Sequence, residues 1–223
     1  MLKIVDLVKR RPQVSVAAFQ QDWKDVAAAS LRKLPGLVRY VQSHALPQGY
    51  GRGELLFDAI AEMWFADAAA CAGALTSPAY ADAMRAADPL VDADRMVRIP
   101  VDVHVIKDGP IPAPAVKNIE FVNRRPGMPL APFRAYWQDV HGPIATRIPV
   151  LRRYEQNHLQ LAAYAAAPAP AYDGLAITWF DSTADMKAGT RTPEYHITRA
   201  DEPNFLPDGH LPIIVTTEHV LIG

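Results

Sequence analysis

The sequence predicts an α+β chain in which a β-α-β-β-α-β unit occurs twice. Three observations carry that reading. First, the chain repeats itself. At an offset of 114, Phe19 falls on Phe133, Trp23 on Trp137, Pro35 on Pro149, Arg39-Tyr40 on Arg153-Tyr154, and Gln42 and His44 on Gln156 and His158. One extra residue in the second half makes the offset 115, and then Asp58 meets Asp173, Trp64-Phe65 meets Trp179-Phe180, Tyr80 meets Tyr195, and His104 meets His219. Second, the hydrophobic period switches between 2 and 3.6 in the same order in both halves. Third, a Gly/Pro segment, Gly109 to Pro114, lies where the halves meet.

Each half opens with a strand (about 3–10 and 116–124) and passes an Arg-Pro turn into an amphipathic helix (about 16–33 and 131–147). A strand follows (about 37–44 and 151–158), then a polar or proline-rich loop and a strand ending in Trp-Phe (about 54–65 and 173–180). A second helical stretch comes next, in the first half 66–74 and 78–87, and a last strand closes the half (about 98–106 and 213–222). That order is the ferredoxin-like split motif. One such sheet carries helices on one face only, so two copies bury the remaining faces by packing sheet to sheet, as a single-chain dimeric α/β barrel. The expected organisation is 1–108 as first repeat, 109–115 as Pro-rich joint and 116–223 as second repeat.

With 223 residues, half of them hydrophobic, the chain is long enough for a well-buried core. A net charge of -1 gives no reason to expect nucleic acid or an anionic membrane as partner. One cysteine, Cys71, precludes an intramolecular disulfide and fits a reducing cytoplasm. The first residues alternate like a strand and lack a secretory signal, and no run of about 18 apolar residues suggests a membrane span.

The stretch from Phe133 to Pro143 stands out. Phe133, Trp137 and His141 are spaced i, i+4, i+8, so a helix puts them on one stripe and the imidazole among apolar neighbours. Gly142-Pro143 follows directly, and proline should kink or end the helix there. Two readings stand side by side for His141: a group that does chemistry, or a core His bonded to a carbonyl that the proline leaves free. On the next strand Tyr154, Gln156 and His158 alternate and therefore share a face.

The runs Tyr136 to Pro143 (with Trp-x3-His-Gly-Pro), Pro149 to His158 and Tyr172 to Phe180 resemble the EthD domain family, a branch of the dimeric α/β-barrel superfamily. The resemblance covers both halves and implies the fold already derived. Relatives include a muconolactone-type isomerase, fungal polyketide dehydratases or decarboxylases and the ethyl tert-butyl ether degradation protein. More distant members are polyketide cyclases, cofactor-free monooxygenases and haem enzymes, so the resemblance narrows the class without choosing the reaction. In the cofactor-free relatives a His acts with a Tyr or second His on a small cyclic substrate.

By that match, His141, Tyr154 and His158 are the candidate catalytic residues, His141 as general acid/base and Tyr154 as donor to a developing enolate oxygen. Trp137, Phe133, Gln156, Asp173 and Trp179 are candidate substrate-binding residues, although the tryptophans also read as core. Where the second half has His141-Gly-Pro143, the first has Ala27-Ala-Ala29, and where the second has Ile177 the first has Glu62. Either the second half alone keeps a catalytic pocket, the favoured reading, or Glu62 serves a second pocket with Tyr40 and His44. His104 and His219, shared by both halves, read as structural, and Arg10, Arg11, Arg124 and Arg125 as a solvated rim. No metal-ligand spacing, phosphate loop or serine elbow appears, so no metal or nucleotide cofactor is expected. Haem stays open, because one buried His suffices as axial ligand.

The expectation is therefore a cofactor-independent enzyme, a lyase or isomerase, acting on a small aromatic, lactone or polyketide-like molecule. The alternatives are an oxygenase, cofactor-free or haem-dependent, and a non-catalytic binding protein for a small hydrophobic ligand. The partner expected is a small-molecule substrate, with a homodimer left open.

Overall fold

A computed structural model describes all 223 residues, apart from the side chains of Ala27 and Ala28 within the first helix. The expected comparison of Ala27-Ala-Ala29 with His141-Gly-Pro143 therefore falls partly outside the described residues. The first repeat runs β1 (Leu2–Val8), α1 (Val16–Leu31), β2 (Leu37–Ala45), β3 (Ala59–Phe65), α2 (Ala68–Leu75), α3 (Pro78–Ala87) and β4 (Val97–Lys107). The second runs β5 (Val116–Val122), a long helical segment made of α4 (Leu130–Ala135), a π-helical turn (Tyr136–His141) and α5 (Gly142–Ala145), then β6 (Arg153–Leu159), β7 (Gly174–Phe180), α6 (Thr183–Gly189), α7 (Pro193–Asp201) and β8 (Ile213–Ile222). This is the expected β-α-β-β-α-β order in both halves. Among the described residues, no helix is long and apolar enough to cross a membrane.

Side-chain chemistry sets the boundaries. Ser77 and Thr192 accept from the backbone N–H of Tyr80 and Tyr195, with proline at the first helical positions of α3 and α7. The strand expected over 54–65 begins only at Ala59. Residues 47–52 form a 3-10 turn closed by Gly53 at φ 119°, a value that favours glycine. Asp58 then anchors the entry to β3, accepting from the Arg10 backbone N–H (2.9 Å) and the Tyr50 hydroxyl (2.5 Å) and pairing with Lys9 (3.0 Å). Arg10, expected on a solvated rim, is instead buried, because its guanidinium shares Asp58 and Glu54.

The chain divides into two compact units that cut across the repeats. Unit 1 is Met1–Val101 with Glu218–Gly223, and unit 2 is Asp102–Thr217. In unit 1, β1 pairs antiparallel with β3 and with the start of β4, and β3 pairs with β2. In unit 2, β5 pairs antiparallel with β7 and with the start of β8, and β7 pairs with β6. Strand β8 is the next neighbour of β2, and β4 of β6, so each of these two strands begins in one unit and ends in the other.

Each sheet is buried on both faces, as the strand alternation demands. In unit 1, Ile4, Val8, Tyr40, Ala61 and Met63 pack under α1 and α3 with Phe19 and Trp23. The opposite face buries Ile60 and Glu62. In unit 2, Val122, Tyr154, Ala176 and Phe180 pack against Phe133, Trp137 and Phe205, while Ile119 and Ile177 are fully buried on the other face.

Candidate active site

The helix carrying Phe133, Trp137 and His141 places all three on a buried stripe, as their spacing demands. It does not break at Gly142-Pro143. The missing N–H of Pro143 is absorbed one turn earlier, where the backbone widens into a π turn and the Gly142 N–H reaches the Trp137 carbonyl. Gly142 is needed for packing as well. A Cβ there would lie 2.9 Å from Ile106 Cγ2 and 3.2 Å from Gln156 Nε2. That close approach lets Gln156 donate to the Trp137 carbonyl at 2.7 Å.

Beside this stripe, unit 2 holds a cavity of about 170 Å3. His141 and Tyr154 line it from helix and strand, Glu120 and Thr178 from the sheet floor, and Tyr195, Arg199 and Glu202 from α7 and the turn after it. His141 Nδ1 lies 2.9 Å from Asp201 Oδ2. Burial raises the Asp201 carboxyl, but hydrogen bonds from Tyr136 (2.6 Å), His141 and Asn204 (3.0 Å) outweigh it and hold Asp201 below its ordinary value. An ionised Asp201 can only accept, so Nδ1 carries the hydrogen and Nε2 carries the lone pair. Among the described residues Nε2 has no hydrogen-bond partner. Burial lowers the His141 pKa despite Asp201, so the ring is a neutral base near pH 7.

The Tyr154 hydroxyl accepts from Trp137 Nε1 (3.2 Å) and Gln156 Nε2 (3.0 Å), and its own proton has no acceptor among the described residues. Burial raises its pKa, so it stays protonated and is a donor. Two carboxyls complete the wall. Burial raises Glu120, against a hydrogen bond from Asn118 and the charge of Arg199. Burial also pushes Glu202 up to about 7, against its ion pair with Arg199 and helped by the charge of Glu120. The cavity thus gathers a neutral base, a hydroxyl donor and a carboxyl that is half-protonated near neutrality. Such a set can take a proton at one atom of a substrate and return one at another.

Comparison with known proteins places the chain. A model of the EthD domain matches residues 11–94 and again 125–208, once in each repeat. The chain belongs to the EthD domain family. No curated protein matches it. Among solved structures, an anthrone oxidase-like protein is similar over 99% of this chain and 93% of its own, at TM-score 0.66 and 8% identity. A proposed monooxygenase from Lactobacillus acidophilus NCFM matches over 99% and 93% of the two chains (TM-score 0.57, 10% identity). A chlorite dismutase variant from Candidatus Nitrospira defluvii matches over 99% and 92% (TM-score 0.55, 9% identity). Identities this low speak to the fold alone, and that fold is the expected α+β, tandem ferredoxin-like one.

Several residues singled out in the EthD sequence lie away from the cavity. His158 stacks on Trp137 (ring centroids 4.3 Å apart, 10° between planes), and its Nε2 meets Gln156 Oε1 at 3.0 Å. Burial drops its pKa to about 3. Gln156 spends both ends of its amide inside this network and is fully buried. Phe133 and Trp137 pack behind Tyr154 and are not part of the wall. Trp179 points to the opposite face of the sheet, with Lys117 Nζ 5.0 Å from its ring centroid. Asp173 anchors the turn into β7, binding the Arg124 backbone N–H (2.8 Å), the Arg124 guanidinium and the Tyr164 hydroxyl (2.7 Å). This repeats the role of Asp58.

The trio Glu62, Tyr40 and His44 does not assemble in the first EthD repeat. Tyr40 lines a cavity there, but Glu62 faces the other side of the sheet and pairs with Lys3 at 2.7 Å. His44 repeats the bonding of His158 through Gln42, and burial lowers it too to about 3. The groups that sequence reading missed are Glu120, Arg199, Asp201 and Glu202. A signal existed: at these positions the first repeat has Asp6, Met84, Ala86 and Ala87, so the halves differ in charge along α7 as clearly as at His141.

Proposed function

We propose that the unit 2 cavity is the active site of a cofactor-independent enzyme moving protons on a small aromatic, lactone or polyketide-like substrate, in an isomerisation, cyclisation, dehydration or related lyase step. The observation that carries this reading is the His141 ring, held by Asp201 behind it, lining one cavity with the unspent O–H of Tyr154. His141 Nε2 removes a proton next to a carbonyl. Tyr154 donates to the oxygen on which charge develops, as an electrostatic stabiliser. Glu202, close to half-protonated at neutral pH, returns a proton to the position that receives it. Met186, Ile148 and Phe180 supply apolar walls that suit a small ring.

The dimensions support a cofactor-free reading over a haem-dependent one. A cavity of about 170 Å3 is below the size of common drug-sized sites, and haem is larger than such ligands. Phe205 also packs against the His141 ring, tilted at 48° with the centroids 4.6 Å apart.

The test is turnover of lactones and aromatic polyketides by the purified protein and by His141→Ala. Loss of at least about 100-fold in kcat, with an unchanged circular dichroism spectrum, is the expected result. Full activity in a folded His141→Ala overturns the proposal. Dependence of turnover on oxygen would make the protein an oxygenase, and saturable binding with no turnover a carrier.

A further inference from the structure

Unit 1 contains a cavity in the corresponding place, between its sheet and α1 and α3, of about 320 Å3. Its inner wall lacks the Arg and Glu of unit 2, and Arg85 and Asp88 line it only from exposed positions, paired with Asp82 and Arg11. Thr178, Thr198, Arg199 and Glu202 have Met63, Ala83, Met84 and Ala87 as counterparts. The buried carboxylate, Asp6, is held by the Arg98 guanidinium through two 2.7 Å bonds, and Arg98 stands where unit 2 has Ile213. A repeat that had become mere scaffold would fill this space, because an empty apolar cavity forfeits packing. Here the large polar groups have given way to small or adaptable apolar ones and the space has remained.

Two buried donors face that space without an acceptor. The Tyr40 hydroxyl accepts from Gln42 Nε2 at 2.7 Å, and its proton goes to no acceptor among the described residues. Burial keeps that hydroxyl protonated. Trp23, whose counterpart Trp137 donates from Nε1 to Tyr154, makes no such bond. Trp23 and Tyr40 both line the cavity and are at least nine-tenths buried. Unspent donors in an apolar chamber call for an acceptor on a neutral partner.

We propose that the unit 1 cavity is a second, non-catalytic binding site for an uncharged apolar molecule carrying one hydrogen-bond acceptor, such as an aromatic ketone or lactone, with its oxygen at Tyr40 and Trp23 and its body against Met63, Met84 and Met96. It holds its ligand without turning it over, because no imidazole stands at position 27 and the buried carboxylate, Asp6, is paired with Arg98.

The probe is 2-acetonaphthone, titrated calorimetrically into the full-length protein, with 2-naphthoate as the charged comparison. The expected result is saturable binding of the ketone at a site lost in Ala87→Phe, which fills the cavity, and at least tenfold weaker binding of the naphthoate. Tyr40→Phe, which keeps the volume and removes the donor, weakens the ketone roughly tenfold and stands in should Ala87→Phe fail to fold. No saturable binding of the ketone, or binding that neither variant changes, overturns the proposal.

Discussion

His141 is held in one tautomer by Asp201, and that fixes how pH acts on the site. Its pKa lies below the ordinary histidine value of about 6.5, so the neutral base is lost only as the solution becomes more acidic than that. Glu202 has been pushed up to about 7, so its acid form is lost as pH rises through neutrality. The profile of kcat/KM against pH should therefore be bell-shaped, with an acid limb below 6.5 and an alkaline limb near 7. Glu202→Gln should flatten the alkaline limb and leave the acid limb in place; an unchanged alkaline limb would remove Glu202 from the proton path. His141 and Tyr154 could be read from the sequence because a helical stripe and a strand alternation mark them. Asp201 could not, because it lies 60 residues from His141 and meets it only through the packing of α7.

At the scale of elements, the periodic patterns located every strand, and errors arose where backbone chemistry outweighed pattern. The π turn ahead of Pro143 kept a helix whole that proline was expected to interrupt, and the 3-10 turn over 47–52 shortened β3. The alternating triplets of β2 and β6 share a face as expected, yet their bonding runs sideways, Tyr to Gln to His, rather than into a common pocket. These chains have their own pH signature. His44 and His158 are neutral in the fold down to about 3, whereas the unfolded chain protonates them near 6.5. The unfolded state binds more protons between those values, so the stabilisation is complete above about 6.5 and is lost as pH falls toward 3. Urea unfolding at pH 7 and 4.5 should show a loss on the order of a few kcal/mol. His158→Phe should have a shallower pH dependence, and an unaltered dependence would count against this account.

Over the whole molecule, the repeat was legible, but the way the strands are shared was not. Sequence register assigns β8 to the second repeat, whereas its last residues complete unit 1: the His219 ring sits 4.6 Å from His44, and Leu221 and Ile222 pack on the unit 1 core. Removing 218–223 should therefore destabilise the distant N-terminal unit, by about 2–4 kcal/mol for two partly buried aliphatic side chains and the histidine contact. Hydrogen exchange would check it: amides of β2 lose protection while those of β6 keep theirs, and uniform loss across both would argue otherwise. Shared strands also bear on synthesis. A domain made first usually folds first, while the ribosome is still adding residues behind it. Here Met1–Val101 wait for Glu218–Gly223, so the N-terminal unit gains no head start and stays unfinished until that far later segment has been made.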